Sequence, residues 1–253
     1  MRTKHLLIVT IIVVIIFASI SIYATYRHSI VETATPIFPI VIQDDLGRNI
    51  SLSEYPERII SLAPSNTEIL FALGLADKVV GVTIYCDYPP DVKNMVEDGR
   101  LTTIGGFANP NIEKVVALEP DLVLATGGIQ FSIVQQFESY DLTVVTLDPE
   151  DLEDVVNNIL LVGEITGEDE AAAKLAENME QRIDQIVNMM ENIEDKPRVY
   201  YEVWWDPLMS AGSGTWIDDL IGITGGVNIF SDVEIEYPEI NSESVIVNDP
   251  EII

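Results

Sequence analysis

Apolar and polar positions along this chain change period twice, and each change marks a different kind of structure. Residues 6–26 carry no charge and are mostly Ile, Leu and Val, with Arg2, Lys4 and His5 before them and Arg27 after. Such a run can span about 30 Å of hydrocarbon and exceeds the usual apolar centre of a cleavable signal, so it predicts an uncleaved membrane anchor. The basic residues ahead of it predict a cytoplasmic amino terminus with everything after Arg27 outside the cell. No cysteine stands at the end of the span to take a lipid.

Residues 29–39, with Pro36 and Pro39, read as a tether. Ile40-Val41-Ile42 and Ile50-Ser51-Leu52 flank Asp44-Asp45-Leu46-Gly47-Arg48 and predict a hairpin. From Arg58 onward, β-rich apolar runs at 58–62, 79–83, 122–125 and 144–147 alternate with stretches long enough to cross over. This is the pattern of a parallel sheet with helices on both faces. Over 168–193 the apolar positions Ala172, Leu175, Ala176, Met179, Ile183, Ile186, Val187, Met190 and Ile193 recur at helical spacing, predicting one helix about 40 Å long. After Lys196-Pro197 a new strand is expected over 198–203. The predicted organisation is a membrane segment at 1–28, a tether at 29–39, a first α/β lobe with its hairpin at 40–167, a connecting helix at 168–194 and a second α/β lobe at 195–253.

The two halves repeat. Glu113-Lys114-Val115-Val116-Ala117-Leu118-Glu119-Pro120-Asp121-Leu122-Val123 matches Glu243-Ser244-Val245-Ile246-Val247-Asn248-Asp249-Pro250-Glu251-Ile252-Ile253 in its acids, its proline and its apolar pairs. Ser65-Asn66-Thr67-Glu68 and Thr215-Trp216-Ile217-Asp218 both read as capping boxes that open a helix, in the same order in each half. The expected fold is therefore α/β, with two lobes of mainly parallel sheet joined by one long helix. In the first half the chain continues past Val123 to a further strand ending near Asp148, whereas Ile253 is the final residue. The second lobe accordingly reads as incomplete.

Charge and composition narrow the chemistry. Asp and Glu number 42 against 13 Lys and Arg, a net charge of -29 that disfavours a nucleic-acid partner. Cys86 is the one cysteine, and His5 and His28 precede the folded part, which predicts no disulfide, no resident metal or cofactor and no imidazole catalysis. Ser65 has no base and is read as a helix cap. The glycine pairs lack the lysine of a phosphate loop. Paired carboxylates, as in an anchored extracellular hydrolase, are too numerous to single out. Aromatic residues in loops remain: Tyr85 and Tyr88, Phe107, Trp204 and Trp205, and Tyr237. Alternation along a strand places one of Trp204 and Trp205 in the core and the other at a cleft.

The run from Pro56 to Glu68 (PERIISLAPSNTE), with Val80-Gly81-Val82-Thr83, Asp87-Tyr88-Pro89-Pro90 and Leu118-Glu119-Pro120-Asp121-Leu122-Val123, resembles the class III substrate-binding proteins of ABC importers. Within them, Tyr200-Tyr201-Glu202-Val203-Trp204-Trp205-Asp206-Pro207 looks most like the cobalamin-binding branch. The resemblance implies a non-enzymatic receptor outside the cell that holds a corrinoid between two lobes and delivers it to a membrane permease with a cytoplasmic ATPase. A ferric siderophore or haem receptor of the same fold is the alternative. The resemblance also implies ligand contacts from Tyr85, Phe107 and Tyr237, to which the reading of aromatic positions adds Trp204 and Trp205, and permease docking through Glu113 and Glu243. Only Arg48, Arg58, Arg100, Arg182 and Arg198 follow the tether, which suits a corrinoid better than an anionic siderophore.

Overall fold

A computed structural model describes residues 37–191 and 193–253. The predicted membrane segment and most of the tether lie outside the described residues. Among the described residues, no helix is long and apolar enough to cross a membrane.

The predicted hairpin forms from β1 (Ile40–Gln43) and β2 (Asn49–Leu52), paired antiparallel. Its turn is fastened to the main sheet. The buried Asp44 carboxylate accepts from Arg48 and from the Thr146 backbone, and Arg48 reaches on to Val144 O, Thr146 and Glu138. The main sheet has five parallel strands in the order β5-β4-β3-β6-β7: β3 (Ile59–Ser61), β4 (Val79–Val82), β5 (Thr102–Thr103), β6 (Leu122–Ala125) and β7 (Val144–Thr146). Strands this apolar are stable only when both faces are covered. The helices that cover them are α1 (Pro64–Ala72), α2 (Asp91–Glu97), α3 (Ile112–Ala117), α4 (Phe131–Glu138) and α5 (Leu152–Thr166). Ile59, Leu122, Leu124 and Val145 pack with Leu70, Ile159 and Val162 on one face. On the other, Ile60, Val123 and Val144 pack with Val115, Val134 and Phe137.

The long helix is α6 (Asp169–Met190), whose 22 residues give about 33 Å. Its buried positions are the small Ala172 and Ala176, which let it lie close against α5. Beyond it the predicted strand over 198–203 divides in two. β8 (Arg198–Val199) pairs in parallel with β11 (Val227–Asn228), whereas β9 (Glu202–Trp205) leaves that sheet to form an antiparallel ribbon with β10 (Leu208–Ser210). The second lobe also holds α7 (Trp216–Ile223) and α8 (Ser242–Asn248).

The repeat is visible in the pairing. β8 stands between β11 and Ile252, to which Val199 bridges in parallel, as β3 stands between β4 and β6. Leu122 and Val123 are fully buried, one on each face of the sheet, whereas their counterparts Ile252 and Ile253 are exposed. One capping expectation holds and one does not. Thr215 Oγ1 accepts from Asp218 N at the start of α7. Ser65, by contrast, sits inside α1, because Pro64 takes the first helical position and Ala63 becomes the cap residue without a side-chain bond. Proline at that position loses no hydrogen bond, since the first N–H groups of a helix have no partner within it.

Candidate functional site

In an open parallel sheet, ligands bind beyond the carboxyl ends of the strands, where the order of the strands reverses. Here β4 and β6 leave β3 on opposite sides, and the loops after β4, β5, β6 and β7 gather at that edge. Ile84 N donates to Gly105 O at 2.9 Å, joining the loop that carries Tyr85 to the loop that carries Phe107. The Tyr85 ring lies over Gly106 and is half exposed; Phe107 is half buried.

The tie between these loops is Gln130, which sequence reasoning missed. Fully buried, it donates from Nε2 to Leu62 O and to Phe107 O, each at 2.9 Å, and accepts from Thr126 N at 2.9 Å. Cys86 is also buried, with its sulfur 3.2 Å from the hydroxyls of both Thr67 and Thr83, and so anchors the Tyr85 loop from beneath. Ile129 and Phe131, on either side of Gln130, are exposed at the same edge and were likewise missed. Exposed apolar side chains beside a glycine pair were the available signal.

In the second lobe, the segment 236–240 runs beside β10: Ser210 N donates to Pro238 O, Gly212 N to Glu236 O and Ile240 N to Leu208 O. Tyr237 is thereby set next to the ribbon that carries Trp204 and Trp205. Both tryptophans are exposed, 51% and 71%, so the expectation that one enters the core is corrected. The cause is the division of the strand at Tyr200-Tyr201: the two-stranded ribbon runs past the core, and only Val203 of β9 packs against it. Trp204 Nε1 donates to Asp206 O.

The lobes meet in a narrow crevice lined by Asp148, Pro149 and Glu150 from the first and by Gly214, Thr215, Glu236 and Tyr237 from the second. Burial there raises the Asp148 pKa above the ordinary aspartate range. Glu236, Asp45 and Glu150 raise it further, while a hydrogen bond from the Gly127 N–H opposes them. The Tyr237 phenol is raised by burial and by the Glu236 and Asp148 carboxylates, partly offset by a hydrogen bond with Trp216. A carboxyl with a raised pKa binds its proton more tightly when folded. It therefore costs no stability below the unfolded aspartate range and destabilises as pH rises through its folded value. Asp148→Asn should accordingly raise the thermal midpoint at pH 7 and leave it unchanged near pH 3, as read from melting curves across that range.

Glu113 and Glu243 are exposed in the first turns of α3 and α8, on equivalent helices of the two lobes. A wider open groove, lined by Gln43, Asp45, Asn157, Asn158, Leu160, Leu161, Glu164, Asp169 and Ala173, lies against the hairpin, α5 and α6 and holds none of the sequence-predicted site residues.

The profile of the periplasmic binding protein family matches residues 59–253. The chain belongs to that family. This periplasmic binding protein is 30% identical over 237 residues to the uncharacterised ABC transporter substrate-binding lipoprotein YvrC of Bacillus subtilis, a match covering 91% of this chain and 73% of the relative. Its fold is similar to that of the periplasmic vitamin B12-binding protein BtuF of Vibrio cholerae, with TM-score 0.68 and 32% identity over 78% of this chain and 75% of that one. It is also similar to the periplasmic heme-binding protein RhuT of Roseiflexus sp. RS-1, with TM-score 0.65 and 29% identity over 77% and 74%. The resemblance to class III substrate-binding proteins of ABC importers therefore holds, and these relatives are binding proteins, not enzymes.

Proposed function

We infer that this periplasmic binding protein captures a corrinoid of the cobalamin type between its lobes, outside the cell, and delivers it to an ABC permease driven by a cytoplasmic ATPase. The observation that carries the reading is the set of accessible aromatic rings in both lobes: Tyr85 and Phe107 on one, Trp204, Trp205 and Tyr237 on the other. Flat aromatic faces suit a corrin or its nucleotide base through apolar burial and stacking. Four of the five arginines that follow the tether are engaged elsewhere. Arg48 binds Asp44 and Glu138, Arg58 and Arg198 bind backbone carbonyls, Arg100 pairs with Asp98, and Arg182 lies on α6. That leaves Arg182 alone among them, exposed on the connecting helix, to neutralise an anionic siderophore, so a ferric siderophore or haem is the second reading, favoured by the similarity to RhuT. In the first reading, Glu113 and Glu243 meet basic residues of the permease, and segment 6–26 holds the protein at the outer face of the membrane.

The test is the thermal midpoint of residues 32–253 with and without cobalamin, with a ferric siderophore and hemin as parallel arms. Ligand at about a hundred times its Kd adds about 2.7 kcal/mol to the folded state, which raises the midpoint. A shift with cobalamin alone supports the corrinoid reading, and a shift only with hemin or the siderophore replaces it. Tyr85→Ala should weaken cobalamin binding by roughly tenfold, the loss of one stacked aromatic contact, as measured by titration calorimetry.

A further inference from the structure

Each lobe holds the short helix that carries its docking glutamate with the same device. α3 has six residues and α8 seven, too few to fix their own orientation. Asn111 Oδ1 accepts from Lys114 N at 2.9 Å at the start of one, and Asn241 Oδ1 from Ser244 N at 2.8 Å at the start of the other. After each helix an acid adopts the left-handed conformation, Glu119 and Asp249, both at φ 45°. That conformation is unfavourable for a side-chain-bearing residue by roughly 1–2 kcal/mol, so something must hold it.

An arginine does so in both lobes. Arg58, next to β3, donates from Nε to Leu118 O at 3.0 Å and Glu119 O at 3.1 Å. Arg198, opening β8, donates from Nε to Asp249 O at 2.8 Å. The return contacts match as well: Asp121 Oδ2 accepts from Arg58 N and Glu251 Oε2 from Arg198 N, each at 2.9 Å. Asp121 N and Glu251 N donate to the carbonyls of the same two arginines, each at 2.8 Å. The sheets behind these helices differ, five strands in one lobe and a parallel pair in the other, yet the unit of arginine, helix and acid is the same. What the two units have in common is the display of Glu113 and Glu243.

We propose that Arg58 and Arg198 are positioning residues for docking, locking the two short helices to β3 and β8 respectively so that the two acids meet the permease in fixed directions. The inference rests on the docking role given above to Glu113 and Glu243. The experiment is a pair of double-mutant cycles on the full chain, Arg58→Ala with Glu113→Ala and Arg198→Ala with Glu243→Ala. The Kd for the cognate permease–ATPase complex in nanodiscs and the Kd for cobalamin are both measured. Each arginine variant should weaken the complex by about tenfold and leave cobalamin affinity unchanged, yet add less than about twofold where its partner glutamate is already alanine. Additive losses, or an equal fall in cobalamin affinity, would mean that the arginines only hold the fold together and would overturn the proposal. If Glu113→Ala and Glu243→Ala themselves leave the complex intact, the docking reading fails and the proposal falls with it. Should Arg58→Ala not fold, Arg58→Lys, which keeps the charge but loses the fork, goes through the same cycle under the same criteria.

Discussion

Gln130→Ala is expected to lower the thermal midpoint by on the order of 10 °C and to abolish ligand capture at temperatures where the chain is still folded. The amide side chain is fully buried and satisfies three backbone groups, Leu62 O, Phe107 O and Thr126 N. Truncation leaves those groups without partners and opens a cavity, at a combined cost of about 3–4 kcal/mol. For a chain of this size each kcal/mol moves the midpoint by roughly 2–4 °C. The functional loss is separate from the energetic one, because the bond to Phe107 O is what holds that loop against the end of β3. Melting curves and cobalamin titration at 15 °C check the two effects independently. A midpoint within about 2 °C of the parent would mean that water replaces the amide and that the loop is held by other contacts.

The partners of Gln130 explain why it could not be found in the sequence. Leu62 is 68 residues away and Phe107 is 23, and nothing in Gly127-Gly128-Ile129-Gln130 announces a buried amide. The crevice around Asp148 and Glu236 was hidden for the same reason, since its two sides come from different lobes. What was legible is what local chemistry dictates. Leu122-Val123-Leu124-Ala125 is apolar throughout because both faces of its strand are covered, so the parallel sheet could be read directly. The repeat of Glu113 to Val123 in Glu243 to Ile253 was legible because cap, helix, left-handed acid and strand follow one another in one short stretch, although the arginines that hold the two acids, Arg58 and Arg198, lie more than 50 residues away.

Other features failed where a neighbour overrode a local rule. Thr102-Thr103 forms a strand only by pairing with Gly81 and Val82, and two threonines carry no strand signal alone. At Ser65 the preceding proline changed which residue caps the helix. Trp204 and Trp205 obey the alternation of a strand, but that alternation places a side chain in the core only where a core lies alongside. Tyr85, Phe107 and Tyr237 stand in loops as expected, whereas Trp204 and Trp205, also read as loop residues, are the last two positions of β9. The grouping of Tyr85 with Phe107, and of Tyr237 with the ribbon that carries the tryptophans, depended on the hydrogen bonds from Ile84 to Gly105 and from Ser210 to Pro238, which only the fold reveals.

Two glycines of the second lobe should respond to the same substitution with opposite signs. A Cβ on Gly212 would stand 2.1 Å from Ile235 O and 2.5 Å from Val233 O, both main-chain atoms that cannot swing aside. Gly212→Ala must therefore push the 233–237 segment outward and break the bond from Gly212 N to Glu236 O, now 2.7 Å. The overpacking costs about 3 kcal/mol and moves Tyr237 off the ribbon, so cobalamin affinity should fall together with stability. Gly222 is exposed within α7 and nothing lies within 4 Å of its would-be Cβ. There alanine only restricts the unfolded chain and favours the helix, so Gly222→Ala should stabilise by about 0.5–1 kcal/mol and leave binding unchanged. Denaturant titration and amide exchange over 233–240 separate the cases. If Gly212→Ala kept parental stability and parental exchange in that segment, the close approach of backbone at Gly212 would not be a feature of the folded protein, and the placement of Tyr237 beside β10 would lose its support.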